Sequence, residues 1–153
     1  MKNIVVISDS HGMLPRDDEF WQILDEADYI FHLGDGIKDI DKLKTVYKDK
    51  VEFVQGNCDT YDAEPFKLVK VEDVTFLLTH GHKFGVKHDL DDLAFECSYQ
   101  GAQIGLYGHT HRAQIDELDN GIVLINPGSI GYEESYCYIT VVKNKAVYKI
   151  VQR

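Results

Sequence analysis

The chain has 153 residues, a 44% hydrophobic share and a formal net charge of -10. That length suits one compact domain with a sizeable core, read here as residues 1–153. The composition excludes disordered and fibrous classes, no apolar run approaches the roughly 20 residues of a membrane span, and the acidic balance disfavours non-specific nucleic-acid binding.

Asn3 to Ser8, NIVVIS, is rich in branched residues and reads as a buried strand. It turns polar at Ser8 without a small-residue cleavage site, so it is not read as a signal peptide. Asp17 to Ala27 places Phe20, Trp21, Leu24 and Ala27 at helical spacing, with acids in the first turn. Tyr29 to Leu33 is a second strand, Ile37 to Tyr47 a second helix and Val51 to Gln55 a third strand. That alternation implies a parallel sheet with right-handed crossovers.

The second half changes rhythm. FKLVKVEDVTFLLTHG reads as a hairpin turning at Glu72-Asp73, Val86 to Gln100 as a helix, and QIGLYG as a strand. AQIDELDNGIVLINPG turns at Asp119-Asn120-Gly121, a strong hairpin signal. SYCYITVVKNKAVYKIVQ turns near Asn144. Cys58, Cys97 and Cys137 are an odd number without finger spacing, which points to a reducing, cytoplasmic setting.

Five apolar runs stop at potential metal donors. VVIS runs into Asp9 and His11, FHLG into Asp35, EFVQG into Asn57, FLLT into His80 and GLYG into His109 and His111. Open α/β sheets bind ligands outside the carboxyl ends of their strands. Alone, Asp9 and Asp35 read equally as turn caps, and any single histidine as a surface or satisfied core residue. Together the seven form an imidazole, carboxylate and amide set that suits Mn, Fe, Co, Ni or Zn. Seven donors exceed one tetrahedral ion and fit two ions sharing a carboxylate. Imidazole must be neutral to ligate, so metal binding weakens as pH falls through about 6.5. No phosphate loop ending in Lys-Ser or Lys-Thr is present, so nucleoside-triphosphate-driven chemistry has no support.

The ordered motifs DSHG, GDG, GNCD, THGH and GHTH, followed by INPGSIG, resemble the metallophosphoesterase (calcineurin-like phosphoesterase) family, and within it the small prokaryotic phosphodiesterases. The resemblance implies a four-layer α/β/β/α sandwich: two mixed sheets packed face to face, flanked by helices. It implies that Asp9, His11, Asp35 and His111 hold one divalent transition-metal ion and Asp35, Asn57, His80 and His109 a second, with Asp35 shared. Mn leads as the metal, with Ni, Co, Fe or Zn as alternatives. The implied reaction is hydrolysis of a small phosphodiester by a metal-bridging hydroxide, with Asp35, Asn57, His80 and His82 as catalytic residues and Asn57 and His82 touching substrate.

Larger members of the family carry His where this chain has Cys58. Cysteine is a poor acid for a leaving group, and the simpler reading is a small buried filler. His82 either meets substrate or belongs to a surface loop. Asp59 orients its turn, His32 lies in a strand and His88 on a helix, both structural. A phosphomonoesterase or nucleotide hydrolase is an alternative to the diesterase. A rival of another class is a binding scaffold, as in the retromer small subunit, which resembles this fold. The expected partner is a small phosphoester, with no membrane, and a homo-oligomer is compatible with the sequence.

Overall fold

The computed structural model describes residues 1–59 and 64–153. β1 (Lys2–Ile7), β2 (Tyr29–His32) and β3 (Val51–Phe53) alternate with α1 (Asp18–Glu26) and α2 (Ile37–Val46). After them come β4 (Lys67–Val71), β5 (Val74–Leu78), a 3-10 turn at His82–Phe84, α3 (Asp91–Gln100) and β6 (Ile104–Leu106). β7 (Ala113–Glu117), β8 (Val123–Pro127), β9 (Ser135–Val142) and β10 (Lys145–Gln152) complete the order. Among the described residues no helix is long and apolar enough to cross a membrane.

Two five-stranded sheets result, in the orders β10-β9-β1-β2-β3 and β4-β5-β6-β8-β7. β1, β2 and β3 run parallel, as do β5, β6 and β8. The three expected hairpins form, as β4–β5, β7–β8 and β9–β10. Both sheets are therefore mixed.

β1 reads as an unbroken apolar run because both its faces are covered. Ile4 and Val6 face the second sheet, in one core with Phe31, Leu33, Phe76, Leu78, Leu106, Ile125 and Ile139. Val5 and Ile7 face the other way, packing with Phe20 and Leu24 of α1 and Leu43 of α2. On the far side, Leu93 and Cys97 of α3 pack on Leu77 of β5 and Leu124 of β8. The layers are helix, sheet, sheet, helix, the expected sandwich.

One helix differs from expectation. α3 starts at Asp91 and not Val86, and His88 lies exposed in the turn before it. Gly81 and Gly85 adopt left-handed φ of 108° and 62°, which closes the 3-10 turn and prevents a helix from running through.

Candidate metal centre

The parallel strands of both sheets end on one rim, and the seven donors gather there. β1 leads to Asp9 and His11, β2 to Asp35 and β3 to Asn57; the other sheet brings His80 after β5 and His109 and His111 after β6. Two donor groups form: Asp9, His11 and His111, and Asp35, His80 and His109, the donor atoms of each within 4.8 Å of one another. Asp35 Oδ2 is 3.3 Å from His80 Nε2 and 3.7 Å from His11 Nε2, so a single oxygen faces both groups. Asp9 Oδ1 is 3.2 Å from His111 Nε2 and 3.9 Å from His80 Nε2.

Backbone shape aims these side chains. Asp9, His11, Asp35, His109 and His111 all have positive φ, between 48° and 70°. Left-handed backbone at a non-glycine residue costs on the order of 1–3 kcal/mol and persists only where the surroundings over-determine it. Close approaches help. A Cβ on Gly56 would sit 2.0 Å from Asp35 Oδ1, and one on Gly108 2.1 Å from Ser8 Oγ, so only glycine lets these loops close around the two acids.

Hydrogen bonds then orient each donor. Asp9 Oδ2 accepts from Ser8 Oγ at 2.5 Å and from the His109 N–H at 3.1 Å. Asp35 Oδ1 accepts from the Cys58 N–H at 2.8 Å. His80 Nδ1 lies 2.8 Å from the Leu33 carbonyl, which can only accept, so the proton sits on Nδ1 and Nε2 is turned to the centre. Asp59 accepts from the Asp35, Gly36 and Gly56 amides at 3.0, 3.1 and 2.7 Å, tying the β2 and β3 loops together. It orients more than its own turn.

The donor set fits cations. Asp9 Oδ1 and His11 Nε2 are buried, yet neither has a hydrogen-bond partner among the described residues. Such groups are costly in a folded protein and call for an ion or water. Asn57 Oδ1 lies 2.9 Å from His80 Nε2, beside Asp35 Oδ2. Three lone-pair-bearing atoms so placed repel unless a proton or a cation lies among them. The protein's own electrostatics are polarised accordingly. Burial pushes Asp35 up, but the His80 imidazole and the Cys58 amide override it and hold the carboxyl well below its usual range. Burial, His80 and Lys87 push His109 down to about 4, which keeps its ring neutral.

His82 stands beside this cluster, its ring 5.4 Å from that of His80 and 6.1 Å from that of His109. His32 is buried and structural: Gly34 N–H donates to Nδ1, so Nε2–H donates to Ser10 Oγ at 2.8 Å. Cys58 departs from expectation; it is exposed, not buried filler, because it follows Asn57 on the open side of the loop. Burial, then the charge of Asp35, pushes its thiol up.

Three neighbours of the centre were not singled out by the sequence. Tyr132 stacks on His111 with ring centroids 5.3 Å apart and an interplanar angle of 18°, and also leans on His11. Asn126 Nδ2 donates to the Gly108 carbonyl and to Thr110 Oγ1, bracing the His109–His111 loop. Ser129 Oγ donates to the Asp9 carbonyl at 2.8 Å. Asn126 and Ser129 lie in INPGSIG, so that segment carried the signal; Tyr132 follows it without periodicity or motif.

Comparison with known proteins identifies the family and the fold. The model of the calcineurin-like phosphoesterase superfamily domain matches residues 1–144. Probable metallophosphoesterase YsnB of Bacillus subtilis is 32% identical over 156 residues, covering 94% of this chain and 87% of that protein. Phosphodiesterase MJ0936 of Methanocaldococcus jannaschii is 25% identical over 148 residues, covering 82% of each. Vacuolar Protein Sorting 29 from Cryptosporidium parvum superposes with a TM-score of 0.84 at 20% identity, over 99% of this chain and 91% of that one, a likeness of fold alone. A family model that spans residues 1–144, and a relative 32% identical over a match covering 94% of the chain, show that this chain belongs to the calcineurin-like phosphoesterase superfamily.

Proposed function

We propose that the chain hydrolyses a small phosphodiester with two divalent cations, Mn first among them. Asp9, His11, Asp35 and His111 hold one cation; Asp35, Asn57, His80 and His109 hold the other. The observation that carries this reading is the Asp35 oxygen set between the two donor groups. Bound cations supply Lewis acidity toward the phosphoryl group and activate water as its nucleophile.

The chain's own groups do the rest. Ser8 and the His109 amide take up Asp9 Oδ2 and leave Oδ1 for the centre. The Leu33 carbonyl holds the proton on His80 Nδ1. Asn57 offers a neutral carbonyl oxygen, which preserves positive charge for an anionic phosphate, and it stands with His82 where substrate enters. The diester reading draws on the likeness to Phosphodiesterase MJ0936. The free Cys58, Cys97 and Cys137 suit a reducing cytoplasm.

A partner-binding scaffold on this fold is the second reading. It is favoured by Phe95 and Tyr99, exposed on α3 and stacked on each other. Asp35→Ala separates the two. Elemental analysis and hydrolysis of bis(p-nitrophenyl) phosphate with added Mn are expected to show loss of both metal and turnover. Turnover unchanged by Asp35→Ala, or absent from the wild type with every divalent metal tried, overturns the enzyme reading.

A further inference from the structure

The candidate centre accounts for His109 and His111 but not for the residues that alternate with them. Thr110 and Arg112 line a cavity of about 450 Å³, with buried Tyr107 behind them. Lys87 and His88, from the turn before α3, form the facing wall. Two permanent cations and an imidazole on one rim run against a chain whose net charge is -10. Asp89 is the acid on this wall, and its Oδ1 is turned back to accept the Asp91 N–H at 3.0 Å. Thr110 Oγ1 accepts from Asn126 Nδ2 at 2.9 Å and from the Arg112 N–H at 3.1 Å, so this wall is fixed. Thr110 stands between His109 and His111 in the chain, so cavity and candidate centre adjoin.

We propose that this cavity is a subsite for a second phosphate group, carried on one arm of the phosphodiester. The inference rests on the phosphodiesterase reading. Arg112 offers a planar fork and Lys87 a point charge, the pair of donors that phosphate takes best. From His109 to Arg112 the chain advances by no more than about 11 Å, so a substrate held at the centre has the cavity close by. The volume lies in the range of small-molecule sites.

The test uses two substrates that release the same p-nitrophenol: the p-nitrophenyl ester of thymidine 5′-phosphate, and that ester carrying a 3′-phosphate. The wild type is expected to favour the phosphorylated ester by about ten-fold in kcat/KM, as suits charge-assisted hydrogen bonds. In Lys87→Ala/Arg112→Ala the ratio falls to about one. Damage to fold or metal binding lowers both rates together and leaves their ratio intact. A wild-type ratio of one, or a ratio unmoved in the double variant, overturns the subsite and leaves the phosphodiesterase reading standing. Should neither ester turn over, that reading fails and calorimetry judges the subsite. Thymidine 3′,5′-bisphosphate must then bind more tightly than thymidine 5′-phosphate, and only in the wild type; equal binding overturns the subsite.

Discussion

His32 is where a single side chain sets a measurable property of the whole. It is fully buried, and burial pushes it from its ordinary 6.5 to about 4, against the raising pull of Asp39, Asp9 and Asp59. The unfolded chain therefore binds more protons than the folded one between about pH 6.5 and pH 4. The His32 contribution is complete above that window, is lost as pH drops through it, and is spent below about pH 4, a loss of roughly 3 kcal/mol. Urea titration of chelator-treated protein reads this slope without metal release, and His32→Gln is expected to make it shallower, leaving the share of His109, which is lowered to the same range. The strained donors show what a sequence hides at this scale. Asp9, His11, Asp35, His109 and His111 were legible by type and spacing, yet nothing in those letters announces a left-handed backbone, which tertiary contacts impose.

The loops after β2 and β3 work as one unit because Asp59 accepts three amides from them. Removing that carboxylate in Asp59→Ala frees the loops while every candidate ligand side chain stays in place. Supporting groups of this kind are worth about 10–100-fold in metal affinity, and calorimetric titration with Mn is expected to show a loss of that size. Elements themselves were readable where local chemistry decided them. Branched runs made strands, and Asp119-Asn120-Gly121 and Glu72-Asp73 made hairpin turns with positive φ at Gly121 and Glu72. The start of α3 was misread because helical spacing from Val86 is easy to find, whereas the left-handed turn at Gly85 depends on packing between Gly81 and Val86. Cys58 was misread as filler because exposure depends on which side of a loop faces outward, a fact with no periodic signature.

At the scale of the molecule, the centre exists only while both sheets stay in contact. Phe31 of the first sheet meets Phe76 of the second edge-on, ring centroids 5.8 Å apart, and both are fully buried. Phe76→Ala is expected to cost about 3–5 kcal/mol in urea unfolding. Saturating metal should recover part of that loss, since ligands that bind only the folded state stabilise it by mass action. The layered architecture was legible through the motif order. The insertion of β8 between β6 and β7 was not, because strand order is set by which edges remain open after distant segments pair. The same topology bears on biosynthesis. β1 pairs with β9 from Lys2↔Val141 to Val6↔Cys137, and Thr140 Oγ1 reaches back 137 residues to Asn3. A nascent chain still threaded in the ribosome lacks that neighbour, so β1, which leads into Asp9, is paired on both edges only once β9 has emerged. Chains truncated before β9 are thereby expected to leave the first sheet, and the candidate centre on its rim, unfinished.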